Sequence, residues 1–228
     1  MTFQILRKNP ITFYQHDGIK LFKEIEAVDK FKKPLKISLE SDSSIIAKDT
    51  YNSDISLYEI NFDREKKEAE GLSLVANPKK KGIGEVLNLA SLIIFNENKF
   101  NLFKVFSLRD SIPFYAKFGF NIRSKNPDEV LHNLKFVTKE KDGKYFDSAN
   151  SAKFFFSKMK DPQNRGDNFE LANNVVGDYL RSKIRNGEKI DSDDLYNHAH
   201  MEFSALDTVK NREYLNEMLE KHEINYQV

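Results

Sequence analysis

The sequence contains no cysteine. Disulfides, thiolate metal sites and cysteine nucleophiles are thereby excluded, and the absence fits a reducing compartment. Net charge is also lacking: 36 basic residues stand against 35 acidic ones, leaving a formal charge of +1. A chain so balanced sets up no global field to draw in nucleic acid or an anionic membrane. No window approaches the unbroken apolar length needed to cross a bilayer. The apolar run within Met1 to Pro10 is too short for a secretory signal. No internal repeat or low-complexity tract stands out. These absences lead to the expectation of a cytoplasmic protein with neither membrane nor nucleic acid as a partner.

Core material, by contrast, is plentiful. Apolar residues make up 39% of the 228, with 19 Phe and 9 Tyr, enough to bury a core without covalent staples. The apolar positions Ile19, Leu21, Phe22, Ile25, Val28 and Phe31 fit a helical period after Asp17-Gly18, and Pro34 would end that helix. Lys30 to Lys33 would then supply favourable charge at its C-terminus. Short alternating or β-branched runs follow at Leu35–Leu39, Ser44–Ala47, Ile55–Phe62 and Leu72–Ala76, which suggests an antiparallel meander. Gly82 to Asn98 returns to the helical period. Phe103 to Leu108 reads as a buried strand, and Ser111 to Phe118 as a short helix capped by Asp110 or Ser111 and stopped by Gly119. Leu134 to Thr138 is a further expected strand, closed by a turn at Lys141-Asp142-Gly143. Beyond about residue 147 only helices are expected, over 151–160, 169–184 and 194–222. The expected division is a mixed α/β domain at 1–147 and a helical extension at 148–228.

Chemistry concentrates between Leu72 and Phe120. A strand runs through Asn77-Pro78-Lys79-Lys80-Lys81-Gly82-Ile83-Gly84 straight into a helix. Glycines let the backbone approach a ligand closely. Loop amides and the positive end of the helix dipole favour an anion, and three lysines add full charge. A pyrophosphate would fit. The run lacks the third glycine of a dinucleotide fingerprint and the Gly-Lys-Ser/Thr of a P-loop.

A second element narrows the reading. Phe114-Tyr115-Ala116-Lys117-Phe118-Gly119-Phe120 resembles the Phe-Tyr-x-Lys-x-Gly-Phe signature of the GNAT N-acetyltransferases. Lys79 to Gly84 is similar to that family's phosphate loop, Gln/Arg-x-x-Gly-x-Gly/Ala, with lysine in the first place. The two come in the family's order, with one helix and one strand between them. The resemblance covers 55–120 well and the N-terminal part by strand pattern. It implies a splayed, mostly antiparallel sheet flanked by helices, here with a C-terminal helical extension. It also implies acetyl-coenzyme A as acyl donor, lying in the split of the sheet, with no metal.

The resemblance further assigns roles. The main chain of Leu72–Ala76, at Leu74 and Val75, would pair with the pantetheine arm, and a main-chain N–H near Val75 would polarise the thioester carbonyl. Amides of Lys80, Lys81, Gly82, Ile83 and Gly84, with the lysines from Lys79 onward, would hold the pyrophosphate. Tyr115 falls where many members place the acid that protonates the departing thiolate. Some members carry a base on the strand before the loop; Leu72–Ala76 has no carboxylate, so Glu59 on the preceding strand is the first substitute, with Glu68, Glu70 or water as alternatives. Where many members have an asparagine, Ser107 or Asp110 stands. The implied activity is transfer of an acetyl group to a primary amine, whether a protein lysine, a protein N-terminus, a polyamine or another small amine. The alternative is an acyl-CoA-binding or interaction module without turnover. The apolar stripes of the extension need burial, against the acceptor groove, in a homodimer or against a protein acceptor.

Other signals carry less. His198-Ala-His200, on the expected helix, would not share a face and reads as solvated. Asp191-Ser-Asp-Asp194 reads as an acidic cap, not a calcium loop.

Overall fold

The computed structural model describes residues 9–49, 51, 54–138, 146–161 and 168–228. The fold is mixed α/β with mostly antiparallel strand pairing and, among the described residues, seven flanking α-helices. It divides into two compact units, one of residues 1–103 with 208–228 and the other of 104–207.

The first unit opens with a hairpin, β1 (Phe13–His16) and β2 (Ile19–Phe22). Asp17 and Gly18 both have positive φ, 46° and 76°. That is the two-residue turn whose twist matches paired strands, and Asp-Gly is a favoured sequence for it. The helix expected over 19–31 is therefore not formed. The same apolar residues instead fill β2 and β3 (Glu24–Val28), with Leu21, Phe22 and Ile25 at most 1% exposed. Lys30 to Lys33 is a turn rather than a helix end. The buried Asp29 carboxylate accepts from the Phe31 and Lys33 amides at 2.8 and 2.9 Å, and Lys32 takes φ 64°.

An antiparallel sheet follows in the order β3, β4 (Pro34–Ser41), β5 (Ser44–Lys48), β6 (Asp54–Asp63), β7 (Glu68–Ala76). The meander read from the sequence is thus present. α1 (Ile83–Glu97) packs on β5, β6 and β7, and its residues from Val86 to Phe95 are all buried. Cross-strand partners share a face, so Ile37, Ile45, Ala47, Tyr58 and Ile60, all fully buried, form one layer under the helix. Phe95 and Phe103 stack at 6.1 Å within this core, and Tyr58 and Phe103 at 6.4 Å. After the second unit the chain returns through α7 (Arg212–Lys221), and its last residues pack Ile224 inside. No described helix is long and apolar enough to cross a membrane.

β8 (Leu102–Leu108) and α6 (Ala205–Lys210) carry the chain from one unit to the other and back. The second unit contains α2 (Ile112–Phe118), which has Pro113 in its first turn and ends at Gly119 with φ 106°, as expected. The capping position is Ser111, without a side-chain cap bond. Next come β9 (Asn121–Ile122), α3 (Pro127–Thr138), α4 (Phe146–Lys160), α5 (Phe169–Arg185) and β10 (His198–Ser204). The strand expected over Leu134–Thr138 is instead the end of α3. Asn126 starts that helix, its carboxamide oxygen accepting from the Asp128 amide at 3.0 Å, with Pro127 in the first position. Asp191 caps a 3-10 turn, accepting from the Asp193 amide, which agrees with the capping reading.

The helices expected after residue 147 are present, but β10 interrupts them. Its alternation buries Ala199, Met201 and Phe203. It pairs antiparallel with β9, so α3, α4 and α5 form an excursion between two neighbouring strands. The turn expected at Lys141-Asp142-Gly143 lies outside the described residues.

The C-terminal segment is tied down by Tyr226, whose hydroxyl donates to Glu97 at 2.9 Å and accepts from the Asn96 amide at 2.6 Å. Partial burial is the main cause that pushes this phenol up to about 12, opposed by Asn96 and reinforced by Glu97. A raised phenol stabilises the fold fully below about pH 10, the unfolded value, and the contribution disappears as pH rises toward about 12. Denaturant midpoints measured across that window are expected to fall further for the native protein than for Tyr226→Phe.

Candidate functional site

The site begins with the strand that enters the lysine loop. Along β7 the register shifts between Glu59↔Ser73 and Ile60↔Gly71, so Leu72 is an extra residue, and it stands 61% exposed. A bulge of this kind re-aims side chains and increases local twist. Leu74 pairs with Tyr58 and so lies on the α1 side of the sheet. Val75 pairs with Leu57 on the other side and is 55% exposed.

Glu59 pairs with Ser73 and lies on the same outer face as Val75, exposed. β7 begins earlier than the sequence suggests, at Glu68, so it does carry carboxylates. Glu68 opposes Asp63 and Glu70 opposes Asn61, on the same face as Glu59.

The loop leaves β7 through Asn77, whose amide donates to Ser56 Oγ at 2.9 Å, and through a cis Asn77–Pro78 bond. Lys80 has φ 65° and Gly82 has φ 82°, so the backbone reverses hand twice before α1 starts. Gly82 occupies the N-cap and offers no side-chain cap. Its carbonyl accepts from Val86 at 3.1 Å, but the amides from Lys79 to Gly84 meet no acceptor among the described residues. Helix starts leave such donors by construction. Gly84, in the first turn, is buried. Lys79 and Lys80 are exposed, and no ion pair of Lys79, Lys80 or Lys81 occurs among the described residues. The cluster thus presents donors and positive charge without internal compensation. Beside it lies a cavity of about 320 Å³ lined by Lys33, Lys81, Pro78, Ile83 and Tyr51 among others.

Two distant segments brace this loop. The Lys30 amide donates to the Lys81 carbonyl at 2.9 Å. His222, fully buried, places Nδ1 2.7 Å from the Val28 carbonyl and Nε2 2.9 Å from Glu85 Oε2. A carbonyl only accepts, so Nδ1 is the donor to Val28. Lys221 Nζ meets the same Glu85 oxygen at 2.9 Å. A Cβ on Gly82 would come 3.1 Å from the His222 ring and 3.4 Å from Lys30. None of this is visible in the local sequence, because His222 lies far along the chain from the loop it supports.

In the second unit, Tyr115 is 8% exposed on α2, its ring edge-on to Phe114 at 5.1 Å and to Phe120 at 5.4 Å. Ser107 is buried, and its hydroxyl donates to the Leu108 carbonyl at 3.1 Å. Asp110 is exposed and accepts from Ser192.

No protein-family model matches the chain, and no curated protein does. Solved structures similar to it are GNAT acetyltransferases. Ard1 from Thermoplasma volcanium is 22% identical over 36% of this chain and 58% of its own, with a TM-score of 0.33. An IAA acetyltransferase from Bacillus cereus is 23% identical over 36% and 56%, also at 0.33. The N-terminal domain of ribosomal-protein-alanine acetyltransferase from Clostridium acetobutylicum is 17% identical over 40% and 74%, at 0.31. The chain spans little more than half the length of the first two.

Two substitutions check the bracing. His222→Ala leaves a cavity where the fully buried ring sat and takes the donor from the Val28 carbonyl, and is expected to cost about 3 kcal/mol or more in chemical denaturation. Gly82→Ala forces a side chain into a left-handed conformation against the His222 ring and is expected to cost roughly 1–2 kcal/mol.

Proposed function

We propose that the protein is an acetyl-coenzyme-A-dependent N-acetyltransferase. The observation that carries this reading is the lysine loop: amides at the start of a buried helix that meet no acceptor among the described residues, glycine where the chain turns, and three lysines with no ion partner among those residues. This suits a pyrophosphate, and the Phe114 to Phe120 signature supplies the link to acetyl-coenzyme A. The amides of Lys80 to Gly84 take the phosphate oxygens, and Lys79, Lys80 and Lys81 take their charge. The cavity edged by Lys33 and Lys81 suits a further part of the donor's nucleotide end. The backbone of Leu74 and Val75 takes the pantetheine arm.

The chemistry is direct attack. The lone pair of a neutral amine adds to the thioester carbonyl carbon, the nitrogen sheds a proton to a base or to water, the carbon–sulfur bond breaks, and the thiolate accepts a proton. Tyr115 is the proposed donor of that proton. Its burial among aromatic rings fixes the phenol's position, which is what a single directed proton transfer requires. Ser107, with its hydroxyl already committed to a carbonyl, contributes to donor binding less readily than the loop does. The acceptor is a primary amine. Glu59 offers a carboxylate near the proper strand, but it is exposed, and no hydrogen bond or ion pair among the described residues orients it.

The test is calorimetric titration with acetyl-coenzyme A and with free coenzyme A. The native protein is expected to bind both. The double substitution Lys79→Glu, Lys80→Glu touches only exposed side chains; it should weaken binding at least roughly tenfold while the melting temperature stays unchanged. Absence of binding by folded native protein would sink the reading.

A further inference from the structure

The cavity beside the lysine loop lies wholly within the first unit and holds about 320 Å³. That is the lower end of the size range of ligand pockets, roughly 300–1,000 Å³. Three segments meet there. The turn into β4 brings Asp29, Lys33 and Leu35, and the chain leaving β5 brings Asp49 and Tyr51. The lysine loop and the start of α1 bring Pro78, Lys81 and Ile83. Leu35, Pro78 and Ile83 are apolar walls. Tyr51, 87% exposed, adds an aromatic face on the open side. A flat ring with two π-faces suits such a slot.

The polar lining is of two kinds. Asp29 and Asp49 are turned onto the backbone. Asp29 accepts from the Phe31 and Lys33 amides at 2.8 and 2.9 Å, and Asp49 from the Tyr51 amide at 2.9 Å. The lone pairs left on these carboxylates suit donors, such as a hydroxyl or an amino group on a ring, and not a phosphate. Lys33 and Lys81 are the cations, and neither has an ion pair among the described residues. Charge then separates their roles. A pyrophosphate diester carries about two negative charges, which Lys79, Lys80 and Lys81 with roughly half a charge from the start of α1 already exceed. Lys33 adds one more. A phosphate monoester brings a further charge of about −1.5 to −2 at neutral pH, which matches that excess.

We propose, resting on the acetyl-transfer reading above, that this cavity seats the adenosine 3′-phosphate end of the donor and that Lys33 reads the 3′-phosphate. Lys33 is thereby a specificity residue: it makes the protein prefer 3′-phosphorylated coenzyme A to the dephospho form. The base lies between the apolar walls with the Tyr51 ring on its open face. The carboxylates of Asp29 and Asp49 serve the free ribose hydroxyl and the amino group of the base. Lys81 belongs to both the loop and the cavity, so a ligand held at the loop by its pyrophosphate continues directly into the cavity. The frame is built before the ligand arrives. The Lys30 amide holds the Lys81 carbonyl at 2.9 Å, and Asp29 closes the turn that carries Lys33. Little backbone ordering is left for binding to supply.

The experiment titrates the full chain by calorimetry with coenzyme A, with 3′-dephospho-coenzyme A and with adenosine 3′,5′-bisphosphate. The native protein is expected to bind coenzyme A at least roughly tenfold more tightly than the dephospho form. Lys33→Ala changes only an exposed side chain. It should bring that ratio close to one, leave the affinity for the dephospho form unchanged and weaken the bisphosphate at least roughly tenfold. Lys33→Arg should restore the preference. Lys79→Glu, Lys80→Glu should weaken both coenzymes while the ratio between them persists. Tyr51→Ala should weaken all three ligands at least roughly fivefold through lost stacking. Equal affinity of the native protein for the two coenzymes overturns the proposal, as does a preference that survives in Lys33→Ala. The transfer reading fails separately: a protein that shows the Lys33-dependent preference yet releases no thiol with any amine keeps the nucleotide seat and loses the reaction. Folded native protein that binds neither coenzyme sinks both.

Discussion

The first unit depends on one buried ring. His222 comes from the end of α7 and meets the Val28 carbonyl with one nitrogen and the Glu85 carboxylate with the other. Val28 ends β3, and Glu85 sits in the first turn of α1. A single imidazole therefore joins the C-terminal segment, the outer strand of the sheet and the helix start. The hydrogen bond from Val28 N–H to the His222 carbonyl at 2.9 Å makes the tie reciprocal. Because burial makes each unpaired polar group costly, the arrangement holds only when all three partners are in register. Gly82 lies directly against the ring, so the position of the lysine loop follows from the packing of residues far away in sequence.

Legibility in the sequence followed contact range. The meander from Leu35 to Ala76, the helix from Gly82 and the Gly119 stop depend on local alternation, helical period and a left-handed glycine, and they are present as read. Failures occurred where one local signal had two meanings. Asp17-Gly18 marks a hairpin as readily as a helix start, and the apolar spacing that follows was compatible with both. Leu134 to Thr138 is apolar enough for a strand, but the start signal at Asn126-Pro127 decides for a helix. His198 to Ser204 alternates cleanly, yet it lies among helical patterns and was absorbed by them.

The same mechanism governs what could be read of the site. Lysines, glycines and a Phe-Tyr-x-Lys-x-Gly-Phe run are contiguous, so they declare themselves in sequence. The bulge at Leu72, the early start of β7 at Glu68 and the meeting of Lys33 with Lys81 at one cavity arise from strand register or from elements far apart in the chain. Parity also decides how His198 and His200 are read. On a helix, positions two apart diverge by about 200°, whereas on a strand they align, and Phe106 reaches both rings, at 5.2 and 5.1 Å.

The charge at the loop, uncompensated among the described residues, fits the proposed ligand better than it fits a role in stability. Elsewhere in this unit lysines find acidic partners: Lys20 with Glu97, Lys36 with Glu24, Lys66 with Asp63 and Lys221 with Glu85. Exposed pairs of that sort contribute little to folding, typically under about 1 kcal/mol each, so lacking them at Lys79 to Lys81 costs the fold almost nothing. Three adjacent like charges do repel one another, and the dipole of α1 places further positive potential at the same end. Both terms are unfavourable in the absence of an anion and favourable in its presence. A loop that the fold holds rigidly, through Lys30 and His222, keeps those charges converged rather than letting them spread into solvent. On the proposed reading, that rigidity raises affinity for a doubly charged phosphate group by reducing the ordering that binding would otherwise demand.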